Sequence, residues 1–314
     1  MTTSEIIDRI QLLKKEKNAV VLAHFYQEDS IQDIADFVGD SYSLSIEASR
    51  SNASIILFAG VHFMAETAKI LNPSKKVLLP DIEAGCSLAE SCEYESFKKF
   101  KENHPKHEVV TYINCSAEIK SLSDIVCTSS NAERIINSIP KSREVIFAPD
   151  QNLGKYLQQV TGRKLTLWNG ACIVHESFSF EKLLELIVSN PNAELVAHPE
   201  STADILELAH FIGSTSEMIN YVRESKKDKF IIATEVGILH KMKNAVPHKE
   251  LIPAPSVEDN SCACSECAYM KVNTLEKVLA CLESESPEII LNEELIKEAR
   301  KPIDRMIQIT EYGN

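Results

Sequence analysis

Cysteines at matching positions are the most chemically suggestive feature of this chain, which repeats itself three times with a period of about 86 residues. Cys86 and Cys172 each close a repeat, and the third repeat, after a short insertion, ends in Cys262, Cys264 and Cys267. Three equivalent modules around one axis would bring one thiolate from each module to the centre. Thiolates bind zinc and iron–sulfur clusters, so the spacing predicts a metal centre shared by three modules.

Polar side chains follow a short apolar run near the start of every repeat. They form pairs separated by one residue, at His24 and Tyr26, Tyr112 and Asn114, and His198 and Glu200. A hydroxyl residue stands seventeen residues after the first member of each pair, at Ser41, Ser129 and Thr215. Ser214 directly precedes Thr215. Parallel strands end at one edge of a sheet, so we expect these side chains to line one cavity. Hydroxyls and free N–H groups at helix starts suit a carboxylate or a phosphate.

The number of thiolates indicates what kind of metal centre to expect. Structural zinc sites take four protein ligands, mostly in close pairs along the chain, and iron–sulfur clusters are commonly held by four cysteines. A four-iron cluster held by only three cysteines leaves one iron open, and that iron can act as a Lewis acid on a hydroxyl or carbonyl. The other cysteines are expected to be small buried hydrophobic residues, at Cys92, Cys115, Cys127 and Cys281.

The elements that position these residues follow from the hydrophobic pattern. Between the polar pair and the hydroxyl, each repeat has apolar residues at helical spacing, which predicts an amphipathic helix. They are Ile31, Ile34, Ala35 and Val38, then Ile119, Leu122 and Val126, then Ile205, Leu208, Ala209 and Ile212. Buried strands are predicted at 55–58, 145–147 and 230–232, and further strands at 77–79, 165–167 and 251–252.

Alternating strands and helices predict an α/β protein whose parallel sheets are covered on both faces. We expect three homologous three-layer αβα domains, at 18–104, 105–190 and 191–272, arranged about a pseudo-threefold axis. Residues 1–17 and 273–314 are expected to form flanking helices. The chain has 314 residues, of which 44% are hydrophobic, and so exceeds the roughly 250 residues at which one core usually splits.

Composition limits the binding partners and the compartment that we expect for this protein. The net charge of -13 argues against a nucleic-acid-binding surface, which needs a basic stripe. No apolar stretch reaches the roughly 18 to 20 residues of a membrane span, and the first residues carry no sorting signal, so we expect a cytoplasmic protein that contacts no membrane. Nine cysteines in such a reducing compartment indicate metal ligation or catalysis rather than disulfides.

Short motifs spread along the chain match those of a known family. Segments 23–27, 39–41, 84–87, 111–114, 128–132, 197–200, 213–215 and 267–271 read AHFYQ, GDS, AGCS, TYIN, TSSNA, AHPE, GST and CAYMK. Together they resemble quinolinate synthase, the A protein of bacterial and archaeal NAD biosynthesis, over about residues 18 to 275. The resemblance implies three αβα domains around a [4Fe–4S] cluster. It also implies the condensation of iminoaspartate with dihydroxyacetone phosphate to quinolinate, with loss of phosphate and two waters.

The resemblance also implies roles for single residues. The cluster ligands would be Cys86, Cys172 and Cys267, with the fourth iron open to the substrate. Tyr26 would move protons at the hydroxyl derived from the substrate carbonyl, and Glu200 would take a carbon-bound proton. The carboxylates and the phosphate would be bound by His24, Ser41, Tyr112, Asn114, Ser129, His198, Ser214 and Thr215; His198 and Glu200 are assigned to both catalysis and binding. An oxidase or dehydrogenase that supplies the unstable iminoaspartate is an expected partner.

Alternatives stay open for the third ligand and for the function. The segment from Cys264 to Cys267 is a CxxC, a pattern also found in redox pairs and zinc knuckles, so Cys264 is the alternative third ligand. Cys262 and Cys264 are candidates for a redox-active dithiol. Another [4Fe–4S] hydro-lyase acting on a hydroxyacid is the alternative enzyme, and a zinc- or cluster-binding sensor without turnover is the alternative from a different class.

Overall fold

Three separate parallel sheets of four strands each organise the computed structural model, which describes residues 1–257 and 265–313. The strands are β1 (Ala19–His24), β2 (Phe37–Gly39), β3 (Ile55–Ala59), β4 (Lys76–Leu78), β5 (Glu108–Tyr112), β6 (Ile125–Cys127), β7 (Val145–Ala148), β8 (Thr166–Leu167), β9 (Glu194–Ala197), β10 (Phe211–Ile212), β11 (Lys229–Ala233) and β12 (Glu250–Pro253). Their orders are β2-β1-β3-β4, β6-β5-β7-β8 and β10-β9-β11-β12, which is the same arrangement three times. The predicted α/β class with three αβα units is confirmed.

Helices connect the strands and cover the sheets. They are α1 (Thr3–Glu16), α2 (Asp29–Ile34), α3 (Ser41–Arg50), α4 (His62–Leu71), α5 (Ser87–Glu90), α6 (Tyr94–Glu102), α7 (Ala117–Ser121), α8 (Ala132–Ser138), α9 (Gln151–Thr161), α10 (Ile173–Glu176), α11 (Phe180–Ser189), α12 (Ala203–Leu208), α13 (Thr215–Glu224), α14 (Ile238–Ala245), α15 (Ala268–Lys271), α16 (Leu275–Ser284) and α17 (Glu293–Tyr312). Because helices shield both faces, the central strands β3 and β7 are buried along their whole length and read as unbroken apolar runs.

A short strand in every repeat occupies positions where the hydrophobic pattern predicts helix. Val38, Val126 and Ile212 lie in β2, β6 and β10, so the helix prediction is wrong at these residues. The helices end earlier, as at Ile34 in the first repeat, after which Ala35 is extended with φ -71° and ψ 147°. The apolar spacing continues past the turn because the edge strand also packs on the core, and spacing alone cannot separate the two elements.

These short strands determine where the hydroxyl residues lie. Gly39 at the end of β2 pairs with His24 at the end of β1, and Cys127 at the end of β6 pairs with Tyr112. In the third sheet Ile212 pairs with Ala197. The chain that follows each short strand therefore starts beside the polar pair of the first strand, at the carboxyl edge of the sheet.

Both ends of the chain are helical and pack onto the repeats. Ile10 of α1 shares a buried cluster with Val278 of α16 and with strands of the first sheet. Ile303 and Met306 of α17 are buried in the core that joins the first and second sheets. The limits of the three domains along the chain remain predictions.

The remaining described cysteines lie in the interior, as predicted. Cys92, Cys115, Cys127 and Cys281 are at most 3% exposed and pack among hydrophobic side chains. Within the described ranges, no helix has both the length and the apolar character that crossing a bilayer requires.

Candidate active site

The carboxyl ends of the three sheets meet at one cavity, which is lined by residues of every repeat. The predicted site residues in this lining are His24, Tyr26, Ser41 and Cys86 from the first repeat, Tyr112, Asn114, Ser129 and Cys172 from the second, and His198, Glu200, Thr215 and Cys267 from the third. The structure thus brings together residues up to 243 positions apart along the chain.

Ser214 is the predicted site residue that the structure places elsewhere. It is fully buried at the N-cap of α13, where its hydroxyl accepts from the backbone N–H of Glu217 and donates to the Glu217 carboxylate at 2.7 Å. This capping box satisfies N–H groups that would otherwise lack partners at the helix start. Ser214 therefore fixes the start of α13, and its neighbour Thr215 faces the cavity.

The three cysteines that line the cavity have equivalent backbone surroundings in their repeats. Each is the N-cap of a four-residue helix, namely α5, α10 or α15. The carbonyl two residues before each cysteine accepts a backbone hydrogen bond from the chain just after the third strand of the same repeat. These bonds run from His62 to Ala84 at 2.7 Å, from Gln151 to Gly170 at 2.8 Å and from Val236 to Ser265 at 3.2 Å. Cys267 therefore occupies the position equivalent to Cys86 and Cys172, whereas Cys262 and Cys264 lie outside the described residues.

The cavity thiols interact with one another and with helix N–H groups. Burial raises the pKa of Cys86 to about 12, and it also raises the pKa values of Cys172 and Cys267. The backbone N–H of the residue three positions after each cysteine points at its sulfur and opposes the shift in pKa. None of the described cysteines is in a disulfide. Without a cation the thiols are neutral, and a metal would bind them with release of their protons.

The hydrogen-bond donors that line this cavity are uncharged. Among the described residues that line it there is no lysine or arginine. Burial lowers the pKa of His24 to about 4 and that of His198 to about 3, so both imidazoles are neutral at pH 7. The ten-residue helices α3 and α13 begin at Ser41 and Thr215, which add hydroxyls to the partial positive charge of a helix start. These local donors suit a carboxylate or phosphate in spite of the acidic net charge of the chain.

A row of polar contacts joins Glu200 to Tyr26. Oε2 of Glu200 lies 2.9 Å from Nδ1 of His175, and Nε2 of His175 is 3.0 Å from the Thr234 hydroxyl. The Thr234 hydroxyl is in turn hydrogen-bonded to the Tyr26 hydroxyl at 2.6 Å. The two residues are thereby held in fixed relation across the boundary between the first and third repeats.

The two ends of this row differ in protonation. Burial opposes ionisation of Glu200, but the contact with His175 outweighs it and lowers the pKa of the carboxyl to about 2. Burial raises the pKa of Tyr26 far above its ordinary value, and the charge of Glu200 raises it further. At neutral pH Glu200 is therefore a carboxylate and Tyr26 a phenol. Oε1 of Glu200 has no hydrogen-bond partner among the described residues, so it is free to accept a proton.

The cavity residues that sequence reasoning missed include one histidine and two acidic residues, His175, Asp40 and Glu235. His175 stands three residues after Cys172, where the other repeats have Ala89 and Met270, so the triplicated spacing gives no signal there. The signal at Asp40 was stronger, because aspartate directly before a helical pattern is a common N-cap, and Asp40 does cap α3 through the Ser43 N–H at 2.8 Å.

A second arrangement for a metal exists in the same cavity. Ligand atoms of Cys172, His175 and Glu200 all lie within 4.8 Å of one another, which a single ion could bridge. The three cysteines and this group share Cys172, so experiments must distinguish a cluster from a single ion.

Comparisons with known proteins agree over nearly the full chain. The NadA family model, described as Quinolinate synthetase A protein, matches residues 8–308. The quinolinate synthase of Microcystis aeruginosa is 55% identical over 306 residues, which cover 98% of this chain and 95% of the relative. That of Synechococcus sp. is 56% identical over 301 residues, covering 96% and 94%, and that of Cyanophora paradoxa is 54% identical over 306 residues, covering 98% and 92%.

The chain belongs to the quinolinate synthetase A protein family. The family match includes all three sheets and every residue named above as lining the cavity. The resemblance inferred from the short motifs is thereby confirmed, and relatives in the quinolinate synthetase A protein family are named as enzymes.

Proposed function

We propose that this protein condenses iminoaspartate with dihydroxyacetone phosphate to quinolinate, phosphate and two waters in the cavity between the three sheets. Family membership supports the product, and the uncharged donors in the cavity support anionic reactants. The observation that carries the proposal is the convergence of Cys86, Cys172 and Cys267, one from each repeat, beside an ionised Glu200 and a protonated Tyr26.

We propose that the three cysteines hold a [4Fe–4S] cluster whose fourth iron has no protein ligand. The equivalent surroundings of the three cysteines, the N–H groups aimed at their sulfurs and the absence of disulfides among the described cysteines fit such a group. The same equivalence favours Cys267 over Cys264 as the third ligand. When bound, the cluster supplies a Lewis acid that polarises a substrate hydroxyl or carbonyl oxygen.

The helix starts and hydroxyls bind the charged groups of the reactants. Ser41 and Thr215 offer their hydroxyls together with the N-terminal N–H groups of α3 and α13, an arrangement suited to a phosphate or a carboxylate. Ser129, Asn114 and Tyr112 offer further donors from the second repeat. Ser214 acts indirectly on substrate binding, because it caps the start of α13, which carries Thr215.

The acid and base follow from the protonation states. Glu200 takes a carbon-bound proton of the substrate through its unpartnered Oε1, and Tyr26 donates its phenolic proton to a hydroxyl that leaves as water. Neutral His24 and His198 hydrogen-bond substrate oxygens on the same side of the cavity. The Thr234 hydroxyl orients Tyr26, and His175 keeps Glu200 ionised.

An anaerobic assay tests the proposal. Protein purified without oxygen is expected to contain about four irons per chain and to form quinolinate from dihydroxyacetone phosphate and iminoaspartate, which an added oxidase or dehydrogenase generates in place. Glu200→Gln is expected to keep its iron and to lose about 10²- to 10⁴-fold in kcat. The exposed Glu207→Gln is the matched control. Iron-loaded protein that makes no quinolinate, or that only dehydrates a hydroxyacid, would contradict the proposal.

A further inference from the structure

More residues of the sequence lie between the fourth strand and the cavity cysteine in the third repeat than in the other two repeats. Thirteen residues separate Cys267 from β12, against seven between β4 and Cys86 and four between β8 and Cys172. Fixing the end of a longer connection costs more conformational entropy. Contacts of described residues around Cys267 offset this cost.

Glu235 makes such a contact through both carboxylate oxygens. It is 1% exposed and follows β11 at the carboxyl edge of the third sheet. Its Oε1 accepts the backbone N–H of Cys267 at 3.2 Å, and its Oε2 accepts the N–H of Gly237 at 2.7 Å. The equivalent residue of the second repeat, Asp150, accepts N–H groups of its own helix instead. At this position the first repeat has Val61, which has no carboxylate.

Lys271 completes the arrangement and extends it to the turn that carries Tyr26. Its ammonium lies 3.3 Å from Oε1 of Glu235 and donates to the backbone carbonyl of Tyr26 at 3.0 Å. The side chain is 16% exposed, so the pair is largely shielded from water. The partly exposed Glu28 is a weaker partner, with its carboxylate 3.8 Å away.

The turn after β11, which carries Glu235 and Gly237, packs directly on the backbone of Tyr26. A Cβ on Gly237 would stand 2.8 Å from backbone atoms of Tyr26, which leaves room only for glycine. The side chain of Gln32 joins the two segments by donating to the carbonyls of both Gly237 and Gln27 at 2.9 Å. Displacement of Glu235 would therefore shift both the Cys267 backbone and the turn that carries Tyr26.

We infer that Glu235 and Lys271 are positioning residues. Together they fix the position of Cys267, the third proposed cluster ligand, relative to Tyr26, the proposed acid. This inference rests on the proposed function, because the relative position of the two residues matters only if Tyr26 acts beside a group that Cys267 binds. Neither residue transfers a proton to the substrate. The pair fixes the distance between two segments that are about 240 positions apart in the chain.

Two readouts test the pair, one on the loaded protein and one on the apoprotein. In Lys271→Met we expect iron to be lost to a chelator about 10- to 100-fold faster, with kcat lowered and KM little changed, as when an outer partner of a metal ligand is removed. In the apoprotein we expect faster backbone hydrogen exchange in 265–271 and 24–28 together. Lys277→Met is the matched control, because Lys277 pairs with Asp81 outside the cavity.

Glu235→Gln keeps the test decisive if Lys271→Met does not fold. It has nearly the same shape and still offers an oxygen to the Cys267 N–H, but it removes the charge that holds Lys271, so the same two changes are expected. Unchanged iron loss and exchange in folded Glu235→Gln overturn the inference, as does faster exchange in 265–271 alone. A wild-type protein that binds no iron refutes the proposed function, whereas the exchange measurement still decides this inference.

Discussion

Single thiols decide the chemistry at the smallest scale. Replacing Cys86 or Cys172 by Ser is expected to abolish cluster assembly, because both line the cavity in which we propose that three sulfurs hold one centre. Cys92→Ser is the control, since Cys92 is only 3% exposed and packs in a hydrophobic cluster away from the cavity lining. Iron and sulfide counts after anaerobic reconstitution check this prediction. Equal iron loss in Cys92→Ser would show that the ligand assignment is wrong.

Buried neutral histidine makes stability depend on pH. The pKa of His24 is lowered to about 4 by burial, against about 6.5 in an unfolded chain, so the unfolded state binds more protons between these values. This contribution therefore favours unfolding as pH falls, by at most about 1.4 kcal/mol per pH unit. Glu235, whose pKa burial raises to about 7, acts in the opposite direction. The prediction therefore concerns the difference between a variant and the wild type.

Urea unfolding of the apoprotein at pH 7 and pH 5 measures that difference. His24→Asn is expected to lose less free energy of unfolding over this interval than the wild type, because the asparagine does not titrate. His248→Asn, at an exposed position, is expected to behave like the wild type. An equal pH dependence in His24→Asn and the wild type would mean that His24 is not held neutral.

Repeated residues were predictable from the sequence, and unrepeated ones were not. His24, Tyr112 and His198 stand at the same point of three copies, so spacing alone placed them in one cavity. His175 and Glu235 have apolar or differently bonded counterparts, and their contacts, with Glu200 and with the Cys267 N–H, arise only from tertiary packing. Tertiary contacts of this kind leave no periodic trace in the sequence.

Helix starts are the elements that present the donors. Ser214→Ala removes the cap of α13 and is expected to lower stability by about 1 kcal/mol. It is also expected to raise KM for the anionic substrates, because the displaced helix start carries Thr215. Thr2→Ala is the matched control, since Thr2 forms the same capping box at the start of α1, away from the cavity lining. Steady-state kinetics and thermal melting separate the two effects, and an unchanged KM in Ser214→Ala would contradict this role.

At the element scale, the segment before a strand decided which predictions succeeded. The buried strands β3, β7 and β11 were predicted because they read as apolar runs of several residues. The short strands β2, β6 and β10 were read as parts of helices, because their apolar residues continue the helical spacing of the segment before them. Their omission hid the reason why Ser41 and its equivalents lie beside the polar pairs.

The whole molecule explains why the site needs three repeats. Each repeat contributes one of the three cysteines, one polar pair and at least one hydroxyl to the cavity, so no single repeat holds all the groups of the proposed acid, base and metal centre. Helices α16 and α17 from the end of the chain pack across the first and second sheets and help hold the arrangement. Triplication in the sequence predicted this convergence, and the limits that it gives for the three domains remain predictions.

Anomalous diffraction at the iron absorption edge, from crystals grown without oxygen, tests the central claim most directly. We predict a single four-iron cluster bonded to the Sγ atoms of Cys86, Cys172 and Cys267, with one iron that no protein atom binds. A lone zinc or iron ion between Cys172, His175 and Glu200 would contradict the account, as would a cluster held by Cys264 instead of Cys267.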